Sequence, residues 1–488
     1  MRLPGRVGRI AATLGSGLTD YAIQFAIPIV LVRTLDVAQY GTYQLIWLTV
    51  LSAASVSLWY LPESLFYFLG GRTREQQGLY VRNSTALLAM AGVLVGVVLW
   101  AAFDLLPEGL RGTDGLRVLL PAFTALWISG ALLDTLPSAE GRFGTQFALT
   151  VTLSVFRAAV VIGAAVVTGD VAAVAVGLLL VGLLRVSILG AYIGLRFGWR
   201  GGVDGGLFRR EQVPYCLPFG VAGALYMLRG QADRWVAAAA FSAAQFAVYS
   251  VGIYVAPFAN LVRQAVGNVF LVEMSEARAA GEIRRLWQAY QAMVGWLAGV
   301  LFPVLAFMWV FAEHLVSLVF TNVYVEGTSV LRVYAIGHMT QALAANAVLR
   351  QFGEGPFVVR VNAVLILLAV ALSAGGAILL GMWGAAVGSS AALWIGEILL
   401  LRRSVGLAGG SIADVLLKAE VWLALGGSIV AALAAYAISE QVRGGIEDLI
   451  VPLVTGLAAM TFIYGTIWLV GSVAVQRWRL PSHRNGAS

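Results

Sequence analysis

The chain has 488 residues, of which 60% are hydrophobic and 12% charged, with a formal net charge of +7 and a mean hydropathy of +0.85. A soluble domain is roughly 45–50% apolar and about 25% charged; a soluble protein of this length could not bury so much apolar surface, so lipid is its solvent. Nucleic-acid binding is excluded despite a pI near 9.6, because the basic residues fall in short clusters between apolar runs and not along one face.

About 20 apolar residues make a span, and fourteen such stretches follow in chain order, near 10–32, 43–68, 83–103, 117–137, 146–168, 171–195, 213–233, 245–270, 287–310, 329–349, 358–380, 384–401, 416–438 and 449–475. The first resembles a secretory signal in having Arg2, Arg6 and Arg9 ahead of it. It is too long for one and contains Asp20 and Gln24, so it reads as a retained span. Two gaps are short, at Gly169–Asp170 and Gly381–Trp383, and each is read as a break between two spans because each flanking run is long enough alone. The class expected is an all-α polytopic membrane protein.

Most of the 32 Lys and Arg residues fall on the side of the N-terminus. The opposite loops carry Asp36, Asp104, Glu108, Asp114, Asp170, Glu313, Glu326, Glu440, Glu447 and Asp448. The positive-inside rule then puts both termini in the cytoplasm and requires an even number of spans. No loop is much longer than Arg196–Gln212, which weighs against a membrane polymerase or ligase with a domain for its second substrate.

The chain also repeats. Ala38-Gln39-Tyr40-Gly41-Thr42-Tyr43 opens span 2, and Ala244-Gln245-Phe246-Ala247-Val248-Tyr249 opens span 8, 206 residues later. Arg142-Phe143-Gly144 follows span 4, and Arg350-Gln351-Phe352-Gly353 follows span 10. Six spans separate each pair, so the expected layout is two parallel six-helix repeats forming two lobes, 1–210 and 211–403, with two further helices and a cytoplasmic tail in 404–488.

Chemistry-bearing residues are few. Cys216 is the lone cysteine, His314, His338 and His483 are far apart, and HExxH, CxxC and GxxxxGK[ST] motifs are absent. No cofactor or metal is expected. Ionisable groups inside spans cost about 2.5–3.5 kcal/mol each and mark functional cavities by default. Asp20, Gln24 and Pro28 share a face of span 1, as do Ser52, Ser55, Trp59 and Glu63 in span 2, and Tyr226, Arg229 and Asp233 in span 7. Span 8 carries Asn260 and Gln264 with Arg263 beside them, while Asp134, Arg157, Arg185 and Glu397 lie in spans 4, 5, 6 and 12. The weighed alternatives are helix-to-helix hydrogen bonds for Asp20 and Gln24, a local Arg229–Asp233 pair, and snorkelling for Arg263 and Glu63.

Arg33-Thr34-Leu35 with Gln39-Tyr40-Gly41-Thr42-Tyr43, the Arg-x-Phe-Gly-like turns, and Tyr215-x-x-Pro218 leading to Asp233-Arg234 make the chain resemble the polysaccharide transporter branch of the multidrug/oligosaccharidyl-lipid/polysaccharide (MOP) exporter superfamily. That resemblance implies a flippase for polyprenyl-pyrophosphate-linked oligosaccharide in the bacterial inner membrane, working beside polysaccharide polymerase and export machinery. It also implies a cavity among spans 1, 2, 7 and 8. The lipid II branch carries arginine in its first span, and this chain has none between Ile10 and Val32. Substrate contacts are expected from Arg229, Arg263, Arg157, Arg185, Gln24 and Asn260, and ion coupling from Asp20, Glu63, Asp134 and Glu397. A multidrug/cation antiporter is the second reading, disfavoured because arginines at least equal acids within the spans.

Overall fold

The computed structural model describes residue 23 and residues 25–199, 202–441 and 450–479. All regular structure among them is helical. The chain divides into two compact units, Met1–Ala247 and Val248–Ser488.

The first unit contains α1 (Phe25–Thr34), α2 (Val37–Ser57), α3 (Leu61–Phe68), α4 (Arg74–Ala101), α5 (Leu116–Ser129), α6 (Leu136–Ala139), α7 (Phe143–Thr168), α8 (Val171–Arg196), α9 (Val213–Arg229) and α10 (Ala232–Ala240). α11 (Ala243–Ser250) spans the division, and a 3-10 turn joins it to α12 (Val255–Ala279) in the second unit. There follow α13 (Ile283–Val310), α14 (Ala312–Phe320), α15 (Thr328–His338), α16 (Asn346–Gln351), α17 (Gly355–Ala408), α18 (Ala419–Gln441) and α19 (Ile450–Arg479).

By length and composition eight helical stretches among the described residues, α11 and α12 together counting as one, are able to cross a membrane, and nine when α2 and α3 count as one bent span. The chain is therefore a multi-pass membrane protein. Its surface agrees with this: Leu94 on α4 is 65% exposed and Ile378 on α17 is 85% exposed, which only lipid makes cheap.

Both short gaps are breaks. Gly169 ends α7 at φ 63°, and the Asp170 side chain accepts from the Ala172 amide at 3.0 Å to cap α8. Gly381 interrupts α17 at φ 68°, ψ −147°, leaving arms 355–380 and 382–408. The arms run antiparallel in contact, for a Cβ on Gly388 would lie 2.3 Å from the Leu372 carbonyl. Span 3 begins earlier than expected, at Arg74, because Thr73 and Gln76 form a capping box.

Several expected continuous spans are broken. α2 and α3 meet at a 42° bend, where Trp59 and Tyr60 take φ 48° and 62°. This bend removes the single face expected of Ser52, Ser55, Trp59 and Glu63: Ser52 is buried against Gln231 and Trp235, while Glu63 is exposed. Span 7 breaks at Gly230–Gln231, so Arg229 ends α9 and Asp233 lies in the first turn of α10, and the two do not share one helix face. Span 4 becomes α5, a 3-10 turn at Ala131–Asp134, and α6. Span 10 becomes α15, a 3-10 turn at Met339–Ala342, and α16.

Such breaks free backbone groups that lipid cannot satisfy, so neighbouring side chains must. The Gln146 amide donates to Leu133 O at 3.2 Å, and the Thr135 hydroxyl to Pro62 O at 3.3 Å. In the second unit the Tyr290 hydroxyl donates to Leu343 O at 2.7 Å and the Ser404 hydroxyl to Ala345 O at 3.0 Å, while the Glu397 carboxylate accepts from the Ala345 amide at 3.4 Å. Glu397 is thus a backbone cap. Glu397→Gln keeps an acceptor and is expected to preserve the melting temperature; Glu397→Leu orphans the amide and is expected to cost about 1–3 kcal/mol. Thermal unfolding of the purified variants checks both, and a Gln variant as unstable as Leu would remove the capping role.

Candidate anion-binding cavity in the first unit

The turn at Gly169–Asp170 makes α7 and α8 antiparallel neighbours. Arg157 lies 12 residues before Gly169, and Arg185 lies 15 after Asp170. At about 1.5 Å per residue the two sit roughly 18 and 22 Å from the turn, at similar depth. α7 presents Gln146, Thr150, Ser154 and Arg157 at spacings of three or four, hence on one face.

These side chains, with Trp127, Asp134 and Arg185, line a cavity of about 280 Å³. Arg185 Nη2 donates to Asp134 Oδ2 at 2.6 Å, with side-chain exposures of 5% and 63%. The guanidinium is buried and its carboxylate partner is open. Arg185 Cζ stands 3.9 Å from the Trp127 ring centre, and Arg157 Cζ stands 5.9 Å from that of Trp47 on α2. The two indoles meet edge to face at 5.1 Å. Electron-rich ring faces thus lie beside both cations. Arg185 Nε and Gln146 Oε1 are buried without a hydrogen-bond partner.

Two guanidiniums and one carboxylate lie in the wall. Arginine does not shed its charge, so the arrangement favours an anion and offers a planar fork of donors that suits phosphate. At about 280 Å³ the space equals roughly nine waters of about 30 Å³ each, room for a pyrophosphate-sized group.

Glu140 lies beyond the cavity, in the turn between α6 and α7. Its side chain is 2% exposed and accepts from Arg74 at 2.6 Å, Arg196 at 3.1 Å and the Tyr192 hydroxyl. Burial alone would raise its pKa, but the bonds from Tyr192, Arg74 and Arg196 outweigh that and hold the carboxyl below its usual range. The stabilisation is therefore complete at neutral pH and is lost only as pH falls through that lowered value.

Of the expected site residues, Asp134, Arg157 and Arg185 come together here. Glu63 and Arg229 are in the same unit but outside the lining; Arg229 lies 5.6 Å from the Tyr226 ring. Asn260 and Arg263 make a local contact of 3.4 Å on α12, and Glu397 lies at the break of span 10. Asp20 and Gln24 lie outside the described residues. The sequence reading missed Trp47, Trp127, Gln146, Thr150 and Ser154. The polar stripe on α7 was readable from its spacing, whereas nothing in the sequence marks the two tryptophans.

No curated protein matches the chain. Among solved structures, it is similar to the lipid II flippase MurJ in an inward closed conformation, with 13% identity, a TM-score of 0.68, and coverage of 96% of this chain and 99% of that one. It is similar to an inward-facing multidrug resistance MATE family transporter of the MOP superfamily, with 14% identity, a TM-score of 0.62, and coverage of 80% and 94%. An outward-facing MATE family transporter gives 16% identity, a TM-score of 0.55, and coverage of 82% and 95%. At such identities these likenesses establish the fold. The model of a family described as polysaccharide biosynthesis protein matches residues 30–329. The resemblance read from the sequence holds: the chain belongs to this polysaccharide biosynthesis protein family and carries the fold of the MOP exporter superfamily.

Proposed function

We propose that the protein is a flippase that moves a polyprenyl-pyrophosphate-linked oligosaccharide from the cytoplasmic to the outer leaflet of the bacterial inner membrane. The cavity of Arg157, Arg185 and Asp134 carries this reading, as an arginine-lined space of about 280 Å³ inside a unit whose exterior is apolar. A desolvated headgroup costs several kcal/mol per polar group, and fixed guanidiniums replace the water it loses. Family membership supports a polysaccharide precursor as cargo. A neighbour described as a lipid II flippase supports lipid-linked substrates generally. The two arginines in its wall argue against a cation antiporter.

Duplication supports alternating access by two related lobes. The 3-10 turns Ala131–Asp134 and Met339–Ala342 interrupt spans 4 and 10 at a constant offset of 208 residues. Each is followed by a turn whose carboxylate meets an arginine at the end of a later helix: Glu140 with Arg196, and Glu354 with Arg403 at 2.6 Å. Arg229, Arg263, Asn260 and Gln24 remain proposed headgroup contacts, and Asp20 and Glu63 proposed coupling groups.

Deleting the gene tests the function. Cells lacking the protein are expected to accumulate a polyprenyl-pyrophosphate-linked glycan in the cytoplasmic leaflet, read by extraction and mass spectrometry after treating intact cells with an impermeant glycosidase. An unchanged lipid-linked pool would refute the proposal.

A further inference from the structure

We infer that Glu140 is a positioning residue for the cavity: its clamp onto α8 holds the broken end of span 4 so that Asp134 stays on Arg185. Arg185, Tyr192 and Arg196 are at positions i, i+7 and i+11 of α8, within about 20° of one line on a helix of 3.6 residues per turn. That line reaches about 16 Å. It grips two carboxylates, Asp134 at one end and Glu140 at the other.

Those carboxylates are six residues apart. On an unbroken helix they would point roughly 120° apart, and one helix could not hold both. The 3-10 turn at Ala131–Asp134 and the non-helical Thr135, at φ −131°, remove that mismatch. The break in span 4 is therefore what lets α8 take both acids. Asp134 is the weaker anchor, since its side chain is 63% exposed and bonded to Arg185, whereas Glu140 is 2% exposed and bonded from three side chains. Order runs from Glu140 towards Asp134.

The second unit repeats the construction with other residues. There the second arm of α17 holds the break of span 10 at Ala345 through Glu397 and Ser404, and holds the following turn at Glu354 through Arg403. One helix thus grips both ends of a broken segment in each unit.

Asp134 competes with any incoming anion for Arg185, so Glu140 tunes the cavity from a distance. This consequence rests on the anion-site reading; the geometry of the clamp does not. The test uses the full chain in lipid nanodiscs. Hydrogen–deuterium exchange over 131–139 is expected to quicken roughly tenfold or more in Glu140→Gln, the size of one lost charge-assisted hydrogen bond, and to change little in Asp134→Asn. Binding of inorganic pyrophosphate is expected to tighten severalfold in Glu140→Gln, and this gain should vanish when Asp134→Asn is already present. Unchanged exchange in Glu140→Gln would overturn the inference, as would an equal effect on pyrophosphate with and without Asp134. If wild type binds no pyrophosphate, the anion-site reading fails and exchange alone decides the clamp. Should Glu140→Gln not fold, Tyr192→Phe removes one donor without removing charge and carries the same comparison.

Discussion

Arg185→Ala is expected to lower transport per molecule of inserted protein about ten- to hundredfold. The estimate follows from one lost charge-assisted hydrogen bond to the headgroup, about 1.5–3 kcal/mol. Arg185 is the strongest choice among the intramembrane arginines because it has both a carboxylate at 2.6 Å and an indole at 3.9 Å to fix its plane, and an Nε without a partner. Lysine should restore only part of the rate, since it keeps the charge and loses the fork. A purely structural arginine would behave otherwise. Its alanine variant would leave Asp134 without its cation, reduce the folded amount, and transport normally in the surviving fraction. Pairing Arg185→Ala with Asp134→Asn separates the two effects, because removing both charges leaves no carboxylate without its cation. If the double variant regains both folded amount and wild-type transport, the guanidinium does not serve the substrate. Arg157→Ala should show a milder loss, its ring contact being looser at 5.9 Å.

The helical membrane class, both short breaks and the family were legible in the sequence, and the reasons are specific. Gly169 and Gly381 stand between runs that are each long enough to span, whereas the start of span 3 at Arg74 lies in the polar stretch under the Thr73–Gln76 capping box, outside the apolar run. The breaks at Trp59–Tyr60 and at 131–135 were not legible, because apolar residues continue through both and periodicity is blind to backbone direction. The same blindness joined Arg229 to Asp233 and Ser52 to Glu63. Asp134, Arg157 and Arg185 were picked one by one as costly charges; their meeting depends on α5, α7 and α8 packing together, which no local pattern encodes. Glu140 falls in a turn, where a carboxylate is ordinary. Only its three donors reveal it.

Gly388→Val is expected to prevent the second unit from reaching its folded state. A Cβ at this position would lie 2.3 Å from the Leu372 carbonyl carbon and oxygen and 2.5 Å from the Ser373 amide nitrogen. Those are backbone atoms, so no rotamer change relieves the clash. Gly384 is similar, with its Cβ position 2.2 Å from Gly376 O. Overpacking typically costs about 1–3 kcal/mol and sometimes more, and lipid offers no hydrophobic force to press the two arms together again. Gly375→Ala is the control: nothing lies within 4 Å of its Cβ position, and replacing a mid-helix glycine should be neutral or gain about 0.5–1 kcal/mol. Detergent-solubilised protein should therefore show a monodisperse peak for Gly375→Ala and little or none for Gly388→Val. The result also bears on threading. A fold-back at Gly381 returns residue 409 to the side on which residue 355 begins, so cysteines placed at Gly355 and Gly409 should be labelled from the same face of the membrane. Labelling from opposite faces, together with a stable Gly388→Val variant, would make residues 355–408 a single crossing and reverse the side assigned to everything after it.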